Sequence, residues 1–229
     1  MHRRRQNPAI LLMWALLSLL PASALAQSPA PFPGRFEVAA GTRWIGRTRL
    51  GTLDATETGS GGARFRLFST ESDLEAAIGP EARVGVRLTR LLQAEASMFY
   101  STAQLSTRIS SDVEGGEPVR VTEPVKQFLI EGAIVAHLTR WRLGRWGVPY
   151  VAAGAGYLRQ LHEETLIETG QSYHVGGGLN CLLKTWGGGR AKAVGVRADA
   201  RAGVRVKGVA FDDRLHVAPT FGASLFLRF

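Results

Sequence analysis

From Val194 to Lys207 the chain alternates with a period of two. Val194, Val196, Ala198, Ala200, Ala202, Val204 and Val206 are apolar, and Arg197, Asp199, Arg201, Arg205 and Lys207 stand between them. Side chains alternate faces along a β-strand, so this segment reads as a strand with one apolar and one charged face. A helix would spread the same arginines around its circumference.

The same parity recurs along the chain. Phe36, Val38 and Ala40 oppose Glu37, Gly41 and Arg43, and Val84, Val86 and Leu88 oppose Arg83 and Arg87. Leu92, Ala94, Ala96, Met98 and Tyr100 oppose Gln93, Glu95, Ser97 and Ser101. Phe128, Ile130, Ile134 and Leu138 oppose Gln127, Glu131 and His137, with Leu129 and Val135 softening the polar side. Val148 to Leu161 and Tyr173 to Lys184 alternate less cleanly and carry more glycine. In Leu215 to Phe229 the apolar face is Val217, Phe221, Ala223, Leu225, Leu227 and Phe229. These are eight strands, each long enough to cross a bilayer when tilted. Of the connections, Gly46–Pro80, Ile109–Glu123, His162–Gly170 and Gly208–Arg214 are expected at one end. Arg90-Leu91, Arg140–Gly147 and Thr185–Ala191 are expected at the other. A further hairpin around Arg64–Thr70 would raise the count to ten.

The N-terminus has the layout of an export signal. Arg3, Arg4 and Arg5 precede an apolar run from Ile10 to Leu20, Pro21 breaks it, and Ala24-Leu25-Ala26 supplies a small-x-small site. Residues 1–26 are therefore expected to be a cleaved signal, 27–34 a short Pro-rich tail, and 35–229 one domain. Gln27 stands where a lipoprotein would carry its cysteine. The single cysteine, Cys181, allows no intramolecular disulfide. After the signal no apolar run approaches the roughly 20 residues of a spanning helix. A membrane location then requires a closed barrel, because open sheet edges leave backbone groups unpaired in lipid. The net charge of +9 would suit nucleic acid, but in an exported chain an arginine-rich barrel interior accounts for it, and no nucleic-acid partner is expected.

At its C-terminus the chain resembles outer-membrane barrels, which tend to end in Phe after apolar residues at alternate positions. Phe229, Leu227, Leu225, Ala223 and Phe221 supply that series. Thr220, Gly222, Leu225 and Leu227 resemble the polar-x-Gly-x-x-apolar-x-apolar sorting signal of the class. As a whole the chain resembles the small barrels of the OmpA and OmpX kind and the porin-like β-barrel families. The resemblance implies an all-β, closed, antiparallel up-and-down transmembrane barrel of eight strands (ten as the alternative) in a bacterial outer membrane. It implies outer-membrane lipid, lipopolysaccharide and the barrel-assembly machinery as partners, the last through Thr220, Gly222, Leu225, Leu227 and Phe229.

Alternation alone does not say which face points inward. A soluble lipocalin-like periplasmic carrier would put the apolar face inside, but the Gly-x-Trp of that class is missing from Gly41-Thr42-Arg43-Trp44. Aromatics also cluster at strand ends, where bilayer interfaces fall. Phe36, Trp141, Trp146, Tyr150, Trp186 and Phe229 are expected near the periplasmic rim, and Trp44, Tyr100, Tyr157 and Tyr173 near the outer one. With the polar face inside, Glu37, Arg43, Arg83, Arg87, Glu95, Glu131, His137, Arg197, Asp199, Arg201 and Arg205 share a lumen that side chains can fill. Buried charges must be paired, so Glu95, Glu131 and Asp199 are expected to neutralise arginines and plug the lumen. A narrow anion-preferring conduit is the alternative.

Other motifs carry little chemistry. His162-Glu163-Glu164 lacks the spacing of a zinc helix, and the histidines are scattered. Gly154-Ala155-Gly156 and Gly176-Gly177-Gly178 lie within strands, where glycine marks a bend or a close backbone approach. Asp212-Asp213 and Asp112, Glu114 and Glu117 are acidic loop clusters. Some small outer-membrane barrels modify lipid A with a His-x-Ser pair on the lipid face. Here His174 is followed by Val175-Gly176 and His137 by Leu138-Thr139, and only Ser172 and His174 share a face, in inverted order. A non-enzymatic barrel without catalytic, metal or cofactor residues is the expectation. The stretch Gly46 to Pro80 is its expected contact region, because loops carry function more often than scaffolds.

Overall fold

The computed structural model describes residues 34–58, 60–110, 117–144, 146–162, 166–207 and 216–229. The expected signal 1–26, most of the tail after it, Asp112, Glu114, His162-Glu163-Glu164 as a unit, and Asp212-Asp213 lie outside the described residues.

Ten strands form: β1 (Phe36–Ile45), β2 (Thr48–Thr58), β3 (Arg64–Leu74), β4 (Ala77–Arg87), β5 (Leu92–Ser110), β6 (Val119–His137), β7 (Gly147–His162), β8 (Leu166–Thr185), β9 (Ala193–Lys207) and β10 (His216–Arg228). Eight of them close a ring in the order β1, β4, β5, β6, β7, β8, β9, β10 and back to β1, every pairing antiparallel. The seam joins the first strand to the last, with Glu37 opposite Arg228 and Ile45 opposite Thr220. This is a closed up-and-down barrel. Among the described residues no helix is long and apolar enough to cross a membrane.

The two remaining strands correct the expectation of a long connection over Gly46–Pro80. β2 runs on from β1 after Gly46 and Arg47, and β3 runs into β4, so the two arms form one long hairpin. β5 is long enough to serve both: Gln93–Phe99 pair with β4, and Leu105–Ser110 pair with β3. The segment Ile109–Glu123 is likewise shorter as a loop than expected, because β6 already starts at Val119. At the base of the arms Leu50 and Leu74 are buried with Ala103, Leu105 and Val125. Farther out both faces of the strands are largely exposed, so alternation of apolar residues fades while Thr52, Thr56 and Thr58 keep their strand preference. β2 has β3 as its sole strand partner among the described residues.

The opposite end is compact. The Thr89 hydroxyl accepts hydrogen bonds from the Leu91 and Leu92 amides at 3.2 and 3.0 Å, closing the β4–β5 turn. A single 3-10 turn at Thr139–Trp141 starts the β6–β7 connection. The chain termini of the barrel meet here, where the Arg35 amide donates to the Phe229 carbonyl at 2.6 Å.

Burial follows the parity of the strands. Outward positions include Val38, Val84, Met98, Ile130, Val151, Val175, Phe221 and Leu225, all exposed. Inward positions include Glu37, Arg43, Glu131, Arg197 and Asp199, all buried. The apolar surface is thus outside and the charge inside, the reverse of a water-soluble barrel.

Candidate functional site

The lumen is the candidate site. Near the compact end, Arg228 donates from Nε to Glu37 at 2.6 Å, binding β10 to β1 across the closing seam. Gln93 donates to the other oxygen of Glu37 at 3.3 Å and meets the His137 ring at 3.3 Å. Arg87 points inward at the same level, half-buried.

Halfway along, Arg197 binds the Glu95 carboxylate with Nη1 (2.9 Å to Oε2) and the Tyr150 hydroxyl with Nε at 2.6 Å. Asp199 faces two guanidinium groups, Arg83 at 2.9 Å and Arg201 at 2.8 Å. Arg83 also pairs with Glu81. The neighbouring wall is cut back to fit: a Cβ at Gly222 would lie 3.1 Å from both the Arg83 Nη2 and the Asp199 carboxylate oxygens.

Arg43 continues the chain of charges, pairing with Glu81 and donating to Glu131 at 2.5 Å. Glu131 meets the His174 Nδ1 at 3.1 Å through its second oxygen. Asp199, Arg83, Glu81, Arg43, Glu131 and His174 therefore form one continuous line across the barrel from β9 to β8. Each carboxylate in it serves two cationic or ring nitrogens. Such sharing offsets part of the desolvation cost of burying charge.

Apolar layers close both ends of this network. Ile45, Phe99, Leu129, Leu158 and Ala218 pack together from five different strands on the long-strand side. Ala39, Val148, Leu182, Ala193 and Phe226 do so on the compact side. A cavity of about 20 Å³ remains beside Arg43, Glu131, His174 and Arg205, room for about one water molecule.

Of the residues expected in the lumen, Glu37, Arg43, Arg83, Glu131, His137, Arg197, Asp199, Arg201 and Arg205 are buried there. Arg87 is half-buried, and the Glu95 carboxylate is nearly enclosed. Gln93, already on the polar face of its strand by parity, and His174, which shares a face with Ser172, belong to the same network, as do Glu81 and Arg228, which the alternation did not reveal. Tyr150 needs correction: expected at the periplasmic rim, it is 2 % exposed and lies inside, beneath Arg197. Its parity within β7, shared with Ala152 and Leu158, carried that signal. Among the described residues the inward arginines are Arg43, Arg83, Arg87, Arg197, Arg201, Arg205 and Arg228. The inward carboxylates are Glu37, Glu81, Glu95, Glu131 and Asp199, with Glu123 and Glu168 half-buried on the inward parity of β6 and β8.

Ser172 and His174 both face the lumen. Thr220 is buried, whereas Leu225 and Phe229 point outward. On the outer wall Trp44 packs on Phe221 and Tyr100 on Phe128, with ring centroids 5.5 and 4.7 Å apart. Tyr157 and Tyr173 are exposed on the same wall. Phe36, Trp141, Trp146 and Phe229 are exposed toward the compact end. No group of three or more His, Cys, Asp or Glu suited to a metal occurs among the described residues.

No family model matches the sequence, and no curated protein matches it. Solved structures do. Neisserial surface protein A (NspA) is 12% identical, with a TM-score of 0.51, covering 85% of this chain and 97% of that one. Ail, the attachment invasion locus protein of Yersinia pestis, solved with the heparin analogue sucrose octasulfate, is also 12% identical; its TM-score is 0.41, over 84% of this chain and 98% of Ail. At this identity the likeness to NspA speaks for the fold alone: that of the small outer-membrane β-barrels.

Proposed function

We propose that this chain is a non-enzymatic β-barrel of a bacterial outer membrane, with a lumen plugged by paired charge and a strand-built surface extension for contacts. The observation that carries the reading is the inverted distribution of its faces. An apolar outer wall with aromatic residues toward both ends suits a bilayer, and buried arginine–carboxylate pairs suit a filled interior. A soluble lipocalin-like carrier needs the opposite arrangement.

Several features support the finer points. Lys126 and Arg159 sit on the outward wall beside Phe128, Arg159 as its cross-strand partner, at the level of the aromatic pair with Tyr100. Cations at an aromatic belt suit the phosphates of lipopolysaccharide. The outward Leu225, Leu227 and Phe229 suit recognition by the barrel-assembly machinery, and the N-terminal segment suits export with cleavage after Ala26. Ser172 and His174 line the lumen, out of reach of an acyl chain in the bilayer, which counts against a lipid A-modifying enzyme.

The β2–β3 arms with the upper parts of β5 and β6 form the surface extension, the proposed contact region. Planar-bilayer recordings test the plug. No discrete channels are expected from the purified full chain, and reproducible unitary conductance would overturn a plugged lumen.

A further inference from the structure

The cavity beside the upper part of the charge network has a lining rich in cations. Arg43, Arg201 and Arg205 face it, together with the His174 ring and the hydroxyls of Ser172 and Thr220. Among the described residues Glu131 is the only carboxylate on its wall, and both its oxygens are already taken, by Arg43 and by His174. Arg201 has Asp199 at 2.8 Å and Glu131 only at 3.9 Å. Arg205 is 9 % exposed, and no carboxylate among the described residues lies within ion-pair distance of it.

A buried guanidinium without a counter-charge is costly. Ile45, Leu129 and Ala218 line its other side, an apolar wall that weakens the screening of the cations.

We propose that this cavity binds one small monatomic anion, a halide, as a structural counter-ion held by Arg205 and Arg201 with the hydroxyls of Ser172 and Thr220. The small space favours an ion of a single atom over sulfate or phosphate with their four oxygens. A spherical anion also accepts hydrogen bonds from every direction, which suits donors arriving from β8, β9 and β10. The inference goes beyond the proposed function, since an occupied cavity stabilises the barrel whatever its role at the surface.

The test uses the full chain refolded in detergent, with gluconate, bromide or sulfate at equal ionic strength. Crystals grown with bromide are expected to give an anomalous peak within hydrogen-bond distance of Arg205. Bromide is expected to raise the unfolding temperature relative to gluconate, and sulfate is not. Arg205→Gln should weaken the bromide dependence by about tenfold or more, the loss of one charge-assisted contact. Ser172→Asp, which tethers a carboxylate in the same space, should remove the dependence while the barrel still folds. An empty cavity in bromide crystals would overturn the proposal. So would equal unfolding temperatures in bromide and gluconate, or an unchanged bromide effect in both variants.

Discussion

Arg197 and Tyr150 meet in two ways at once: the guanidinium carbon lies 4.2 Å from the ring centroid, and Nε donates to the phenol oxygen at 2.6 Å. One side chain on β7 thus holds an arginine on β9 in place, leaving Nη1 for Glu95 on β5. Tyr150→Phe keeps the ring and removes the acceptor. A loss of roughly 1.5–3 kcal/mol is expected, the range for a hydrogen bond to a charged group. Equilibrium unfolding in lipid vesicles measures it.

Room for that phenol comes from Gly178, the cross-strand partner of Tyr150. A Cβ there would lie 2.5 Å from the Tyr150 oxygen and 2.2 Å from the Ala198 carbonyl oxygen. Gly178→Ala should therefore cost more than Tyr150→Phe, because backbone as well as side chain must shift. The same unfolding assay gives the comparison, and equal or smaller losses would contradict the packing described.

Arg43 and Glu131 are joined deep in the network, at 2.5 Å. Removing either one leaves its partner charged and buried, so Glu131→Leu and Arg43→Leu are each expected to cost roughly 3–5 kcal/mol. The double variant should cost clearly less than the two losses combined. A double-mutant cycle reads the coupling directly. Additive losses would mean that the two residues act independently.

Val84 and Phe65 are both exposed, at 56 % and 44 %, but on different parts of the molecule. Val84 lies on the outer wall of the ring between Val38 and Ala96. Phe65 lies on β3, beyond it. Arginine at position 84 should destabilise the barrel in a bilayer by roughly 2–4 kcal/mol, whereas Phe65→Arg should have little effect. Measured side by side, the two variants locate the edge of the membrane band.

Much of this was legible in the alternation itself. β9 has the cleanest pattern because every outward position there is apolar and its inward arginines are close together. Parity fails where one environment surrounds both faces. That is why Thr52–Thr58, the outer part of β2, reads as a loop although its backbone pairs with β3. Glu81 was hidden by Pro80, since proline is rarely found inside a central strand. Here Pro80 falls in the gap between the β3 and β4 registers on β5. Arg228 was overlooked for another reason: the outward Leu225, Leu227 and Phe229 draw attention to the wall, and the residue between them faces Glu37 inside. Which carboxylate serves which arginine depends on strand register across the ring, and no local pattern encodes that.

The most direct test of the central claim is heat-modifiability of the protein in outer-membrane fractions, run on SDS gels with and without boiling. A closed barrel with an apolar outer wall should resist SDS unheated and change mobility after boiling, and should be found in the outer-membrane fraction. A protein recovered in the soluble periplasmic fraction, with the same mobility before and after boiling, would contradict the account.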